Sequence, residues 1–173
     1  MKMNILVFSD SHGRGSRMLE VLSRQIKKPD AVIFLGDGLR DLYYCDLGEI
    51  PLFAVSGNCD VYSFYGAGNA EEEIVMTLGG KRIMMVHGDR SGVKSGLARL
   101  ISAACARGAD IVLFGHTHTP FERYLPAGES EYGISFEKPL YVFNPGSIGD
   151  YGKSFGCIEI KRDGGVVLSH GEL

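Results

Sequence analysis

Asp10-x-His12 and His116-x-His118 are the first residues of this chain to suggest chemistry, because each pair sets two metal-binding side chains on one side of an extended backbone. Between them lie Gly36-Asp37-Gly38, Gly57-Asn58-Cys59-Asp60 and His87-Gly88-Asp89. Carboxylate oxygen, amide oxygen and imidazole nitrogen together form a donor set that suits Mn²⁺, Fe²⁺, Co²⁺, Ni²⁺ or Zn²⁺. The candidate metal ligands are therefore Asp10, His12, Asp37, Asn58, His87, His116 and His118. Each alone has an ordinary reading, since an Asp after a strand is often a turn former and a Gly-Asp pair commonly caps a loop. Together they account for four of the five histidines, leaving only His170, which is expected on the surface.

Every cluster follows an apolar run that reads as a buried strand. The runs at 3–8, 31–35, 52–55, 82–86 and 111–114 end respectively at Asp10, Asp37, Asn58, His87 and His116. Ligands of open α/β sheets gather beyond the carboxyl ends of strands, so five such ends can converge on one crevice. A helix is expected over 17–27, closed by Pro29, and a second over 93–107, where Leu97, Leu100, Ile101, Ala104 and Cys105 recur at helical spacing. The first third thus reads as parallel strands joined by crossovers, with a short segment over 41–47. Gly79-Gly80 between 73–78 and 82–86 predicts an antiparallel hairpin. Strands at 140–143, 155–160 and 166–169 complete the chain, with Asp163-Gly164 as the last turn and 126–132 as a polar loop. Two packed sheets between helical layers fit this order.

With 173 residues, one domain spanning 1–173 is expected. The composition, 45% hydrophobic and 23% charged, is that of an ordinary globular protein. A net charge of −3 gives no general attraction to nucleic-acid phosphates, so stable nucleic-acid binding is not expected. Cys45, Cys59, Cys105 and Cys157 are too scattered for a structural zinc site or a disulfide framework, which points to reduced thiols and a cytoplasmic protein. The apolar run at 5–8 is too short to serve as a signal-peptide core or to span a membrane.

On Asp10-x-His12, Gly36-Asp37, Gly57-Asn58, His87-Gly88 and Gly115-His116-Thr117-His118, the chain resembles the calcineurin-like metallophosphoesterase superfamily, and within it the small phosphodiesterases. The resemblance covers nearly the whole length. It implies an α/β (α+β) fold, a four-layer αββα sandwich of two mixed β-sheets flanked by helices. It also implies two divalent metal ions, Mn²⁺ foremost, with Asp10, His12 and His118 at one, Asn58, His87 and His116 at the other, and Asp37 shared. The implied reaction is hydrolysis of a small phosphodiester by a metal-bound hydroxide at that dinuclear site.

The residues singled out for catalysis are Asn58, Cys59, Asp60 and His87. Many members carry His where this chain has Cys59; a thiol, with a reference pKa near 8.5, is a less fitting acid, which favours good leaving groups or a water acid. Cys59 also reads as a buried small hydrophobe beside the site, and Asp60 and Asp89 as turn or imidazole-orienting residues or as substrate contacts. Arg14 reads as a phosphate contact or an exposed residue opening a helix, and Asn144-Pro145-Gly146-Ser147 as a turn near the site. Competing functions are a phosphomonoesterase, a nucleotide pyrophosphatase, or a non-catalytic scaffold of the retromer-subunit type. Tyr43, Tyr44, Tyr62, Phe64 and Tyr65 are expected to line a substrate rim or the contact of a homo-oligomer.

Overall fold

The computed structural model describes residues 2–60 and 70–173. Its architecture follows from strands that are apolar on both faces and must be covered on both. In β1 (Met3–Phe8), Ile5 and Val7 point one way and Leu6 and Phe8 the other, all four buried. Ile5 and Val7 enter the core between two sheets; Leu6 and Phe8 meet Met18 and Val21 of α1 (Ser16–Ser23). β2 (Ala31–Phe34) alternates likewise, with Ala31 and Ile33 inward and Val32 and Phe34 toward α1. In the other sheet, Ile83 and Met85 of β5 (Lys81–Val86) face the shared core, while Met84 and Val86 pack with Leu100, Ile101 and Ala104 of α2 (Ala98–Ala106). Helix, sheet, sheet, helix is the four-layer order expected.

The first sheet runs β12 (Val166–Glu172), β11 (Ser154–Ile160), β1, β2, β3 (Leu52–Ala54). β1, β2 and β3 are parallel, and β11 pairs antiparallel with β1, Ile5 opposite Ile158. The second runs β4 (Glu73–Leu78), β5, β6 (Ile111–Leu113), β10 (Leu140–Pro145), β7 (Pro120–Leu125). β5, β6 and β10 are parallel there, flanked by antiparallel β4 and β7. Both sheets therefore present a block of parallel carboxyl ends. No described helix is long and apolar enough to cross a membrane.

Some expectations change. The first helix stops at Ser23 rather than residue 27; Ile26, fully exposed, finds no core to bury it. The second expected helix splits into a 3-10 turn at Val93–Ser95 and α2, because Gly96 adopts φ 138° between them. Residues 41–47 give way to a 3-10 helix at Leu39–Tyr44. The polar loop at 126–132 contains β8 (Ser130–Glu131), paired with β9 (Ile134–Ser135). His170 is not a plain surface residue: its ring stacks on Phe143 and its Nε2 lies 2.8 Å from the Asn144 carbonyl oxygen. Tyr62, Phe64 and Tyr65 lie outside the described residues.

Candidate metal centre

The loops leaving β1, β2, β3, β5 and β6 meet at one end of the sandwich, and neighbouring loops of each sheet are tied to one another. The Asp10 amide donates to the Gly36 carbonyl, the His12 amide to the Asp37 carbonyl, and the Gly115 amide to the His87 carbonyl, at 2.9, 3.2 and 2.9 Å. Such sharp exits require unusual backbone. Among the described residues seven non-glycines have positive φ, and five are Asp10 (55°), His12 (45°), Asp37 (59°), His116 (64°) and His118 (60°). Left-handed conformations cost an L-residue about 1–2 kcal/mol each, so strain concentrates on the predicted ligands.

Asp10, His12 and His118 offer ligand atoms that all lie within 4.8 Å of one another. Asp10 is fully buried, and its Oδ2 accepts from the Ser9 hydroxyl at 2.5 Å and the His116 amide at 3.1 Å. Its Oδ1 has no hydrogen-bond partner and faces the Nε2 atoms of His118 at 3.1 Å and His12 at 3.9 Å. His118 Nδ1 lies 2.7 Å from Asp150 Oδ2. Donation there leaves Nε2 as a bare lone pair aimed at Asp10.

Asp37, His87 and His116 make the second group, again within 4.8 Å. His87 Nδ1 sits 2.7 Å from the Leu35 carbonyl, which anchors a residue of one sheet to a strand end of the other. Its Nε2 is turned to His116 Nδ1 at 3.1 Å and Asp37 Oδ2 at 3.4 Å. Burial pulls the Asp37 pKa up, but the His87 and Cys59 hydrogen bonds outweigh it and hold the carboxyl well below the usual range. Burial alone would lower the His87 pKa; the Asp37 hydrogen bond and the Asp10 and Asp37 charges reverse this and raise it. Burial, His87 and Lys94 together lower that of His116.

A third group joins His12 and Asp37 to Cys59, so Asp37 belongs to two of the three. Partial burial and the Asp37 carboxylate push the Cys59 thiol up to about 11, so it keeps its proton at neutral pH. Cys59 is exposed, which sets aside the reading of it as a buried hydrophobe. Asn58 is exposed too, with its amide nitrogen 3.3 Å from Cys59 Sγ. It lines a cleft with Gly57, Gly88 and Asp89.

Side chains beyond the metal-ligand candidates hold these loops. Asp60 accepts from the amides of Asp37, Gly38, Leu39 and Gly57 at 2.7–2.9 Å, which stitches the second strand exit to the third. That makes it a positioning residue acting on backbone rather than on an imidazole. Asp41 takes the Ser11 hydroxyl at 2.5 Å and the Gly13 amide at 2.9 Å. Arg17 grips the carbonyls of Ile148, Gly149 and Asp150. Asn144 donates to the Gly115 carbonyl and Thr117 hydroxyl, as its place in the expected turn suggested. Nothing in the sequence flagged Asp41, Arg17 or Asp150, whose partners lie 28 or more residues away.

A buried carboxylate oxygen with no donor is costly unless a cation answers it. Asp10 Oδ1, faced by the Nε2 atoms of His12 and His118, meets that condition, and the oxygen–nitrogen donor set fits a divalent metal. Comparison with known proteins agrees. The model of the calcineurin-like phosphoesterase superfamily domain matches residues 3–163. The chain is 34% identical to the probable metallophosphoesterase YsnB of Bacillus subtilis over 146 residues, 84% of this chain and 75% of that protein. A conserved uncharacterized protein of Streptococcus pneumoniae, described as a predicted phosphoesterase, has a TM-score of 0.71 and 28% identity, covering 100% of this chain and 99% of that one. Vacuolar Protein Sorting 29 of Cryptosporidium parvum shares the fold at a TM-score of 0.69 and 20% identity, covering 99% and 98%.

Proposed function

Because this chain belongs to the calcineurin-like phosphoesterase superfamily and is a metal-dependent phosphoesterase, we propose that it is a phosphodiesterase acting on small diesters through two divalent ions, Mn²⁺ foremost. The observation that carries this reading is the orphaned Asp10 Oδ1 at the meeting point of the strand-end imidazoles. Asp10, His12 and His118 would hold one ion and His87, His116 and Asn58 the other, with Asp37 serving both. Ions bound there would supply positive charge to the phosphoryl oxygens and favour ionisation of water.

Hydrolysis adds a water oxygen to phosphorus, breaks one ester P–O bond and puts a proton on the departing oxygen. The chain's part is to fix the ligand loops through Asp60, Asp41 and Arg17, and to orient His87 and His118 through Leu35 and Asp150. Cys59 holds a proton beside Asp37, yet a thiol raised to about 11 gives it up reluctantly. This supports substrates whose leaving group needs little protonation, or water as the acid. Four free thiols among the described residues support a cytoplasmic location, and the chain's net charge of −3 supports a small substrate over a nucleic acid.

With Mn²⁺, the protein should turn over bis-p-nitrophenyl phosphate faster than p-nitrophenyl phosphate, and Asp37→Ala should abolish both. Faster cleavage of the monoester would assign a phosphomonoesterase instead. The likeness to Vacuolar Protein Sorting 29 favours one rival, a non-catalytic scaffold, and a metal-loaded protein that cleaves neither ester would support it.

A further inference from the structure

The ligand groups of the metal centre overlap. His12 serves the group with Asp10 and His118 and also the one with Cys59, and Asp37 serves the group with His87 and His116 and also the one with Cys59. The group of His12, Asp37 and Cys59 thus shares one ligand with each of the other two, and its own addition is a sulfur. Of the four cysteines Cys59 is the exposed one, while Cys45, Cys105 and Cys157 are half-buried. All three members of the group line one open hollow of about 860 Å³, which gives an ion access from solvent. Two contacts hold Cys59 there: its amide donates to Asp37 Oδ1 at 2.7 Å, and the Asn58 side-chain amide donates to its Sγ at 3.3 Å.

Oxygen and imidazole ligands suit Mn²⁺, whereas a thiolate shifts preference to softer ions, and Cys sulfur, His nitrogen and carboxylate oxygen are all ligands of Zn²⁺. The Asp37 carboxylate attracts a cation to the place beside Sγ, and the thiol proton passes to solvent as the sulfur–metal bond forms. An ion seated there takes His12 and Asp37 away from the dinuclear centre. We propose that His12, Asp37 and Cys59 form a third ion position, selective for thiophilic ions such as Zn²⁺ and Cd²⁺, and that its occupation shuts off phosphoester hydrolysis. This rests on the two-ion reading of the centre and adds a means of regulation to it.

Cadmium bound to a thiolate absorbs in the ultraviolet, so the position has a readout besides activity. Metal-stripped protein is titrated with Cd²⁺ and, separately, with Mn²⁺. The wild-type chain should develop the sulfur-to-cadmium band, Cys59→Ser should lose it while still binding Mn²⁺ like the wild type, and His12→Ala should need more Cd²⁺ to reach it. Added to the Mn²⁺-loaded protein, Cd²⁺ should stop hydrolysis of bis-p-nitrophenyl phosphate, and Cys59→Ser should need roughly 10-fold more of it for the same inhibition. Cys59 is exposed, so a serine in its place leaves the fold intact. A wild-type Cd²⁺ complex with no sulfur band, a band unchanged in Cys59→Ser or in His12→Ala, or equal inhibition of wild type and Cys59→Ser would overturn the third position while leaving the Mn²⁺ centre standing. A wild type that binds neither ion would overturn both.

Discussion

A histidine presents Nε2 to a cation reliably only when something else occupies Nδ1. Here the Leu35 carbonyl does this for His87 and Asp150 for His118. The two differ in kind, because a backbone carbonyl cannot be mutated away whereas Asp150 can. Asp150 is itself placed by the Ser147 hydroxyl, 3.1 Å from its amide, and by Arg17 on its carbonyl. Asp150→Asn should therefore leave the fold in place and lower affinity for Mn²⁺ by about 10–100-fold, read by titration calorimetry. Wild-type affinity in that variant would show that His118 needs no orienting partner. Residue types alone disclosed the imidazoles and carboxylates of the centre. They did not disclose Asp150, because its tie to His118 spans 32 residues and no local pattern records it.

At the scale of elements, the centre depends on strands ending abruptly and on loops approaching one another closely. Gly57 shows how closely: a Cβ there would stand 2.2 Å from Asp37 Oδ1 and 2.6 Å from the Asp37 amide nitrogen. Gly57→Ala must displace the loop that carries Asp37, at a cost of about 1–3 kcal/mol in stability and with loss of metal binding. Thermal melts with and without Mn²⁺ check this; a variant that melts like the wild type and is equally stabilised by metal would contradict it. The strands that deliver ligands were legible because burial on both faces makes them continuous apolar runs, as in Ile5 to Phe8 and Ile83 to Val86. The Gly79-Gly80 hairpin was legible too, with φ of 56° and 80° at its turn. β7 was not: it is a sheet edge whose Glu122, Arg123 and Tyr124 are exposed, so no apolar run marks it. The α2 region misled through Gly96, where helical spacing continued but the backbone did not.

On the scale of the whole molecule, two sheets share one core, and each turns parallel carboxyl ends to the same edge of the sandwich. His87 anchored to Leu35 and Asp10 bonded to the His116 amide close the gap between the sheets at that edge. The fold alone does not decide function, since one architecture hosts many activities and Vacuolar Protein Sorting 29 of Cryptosporidium parvum, at 20% identity, shares this one. What decides it is whether the strained, donor-poor cluster at the edge takes up metal and turns over a phosphate ester. The direct measurement strips the protein with a chelator, restores Mn²⁺ in steps, and follows bound metal and bis-p-nitrophenyl phosphate hydrolysis together. The stripped protein should be inactive, and activity should rise with metal to saturate at about two ions per chain, the content of a dinuclear centre. Hydrolysis that persists at full rate in the stripped protein, or a chain that takes up no metal, would contradict the account.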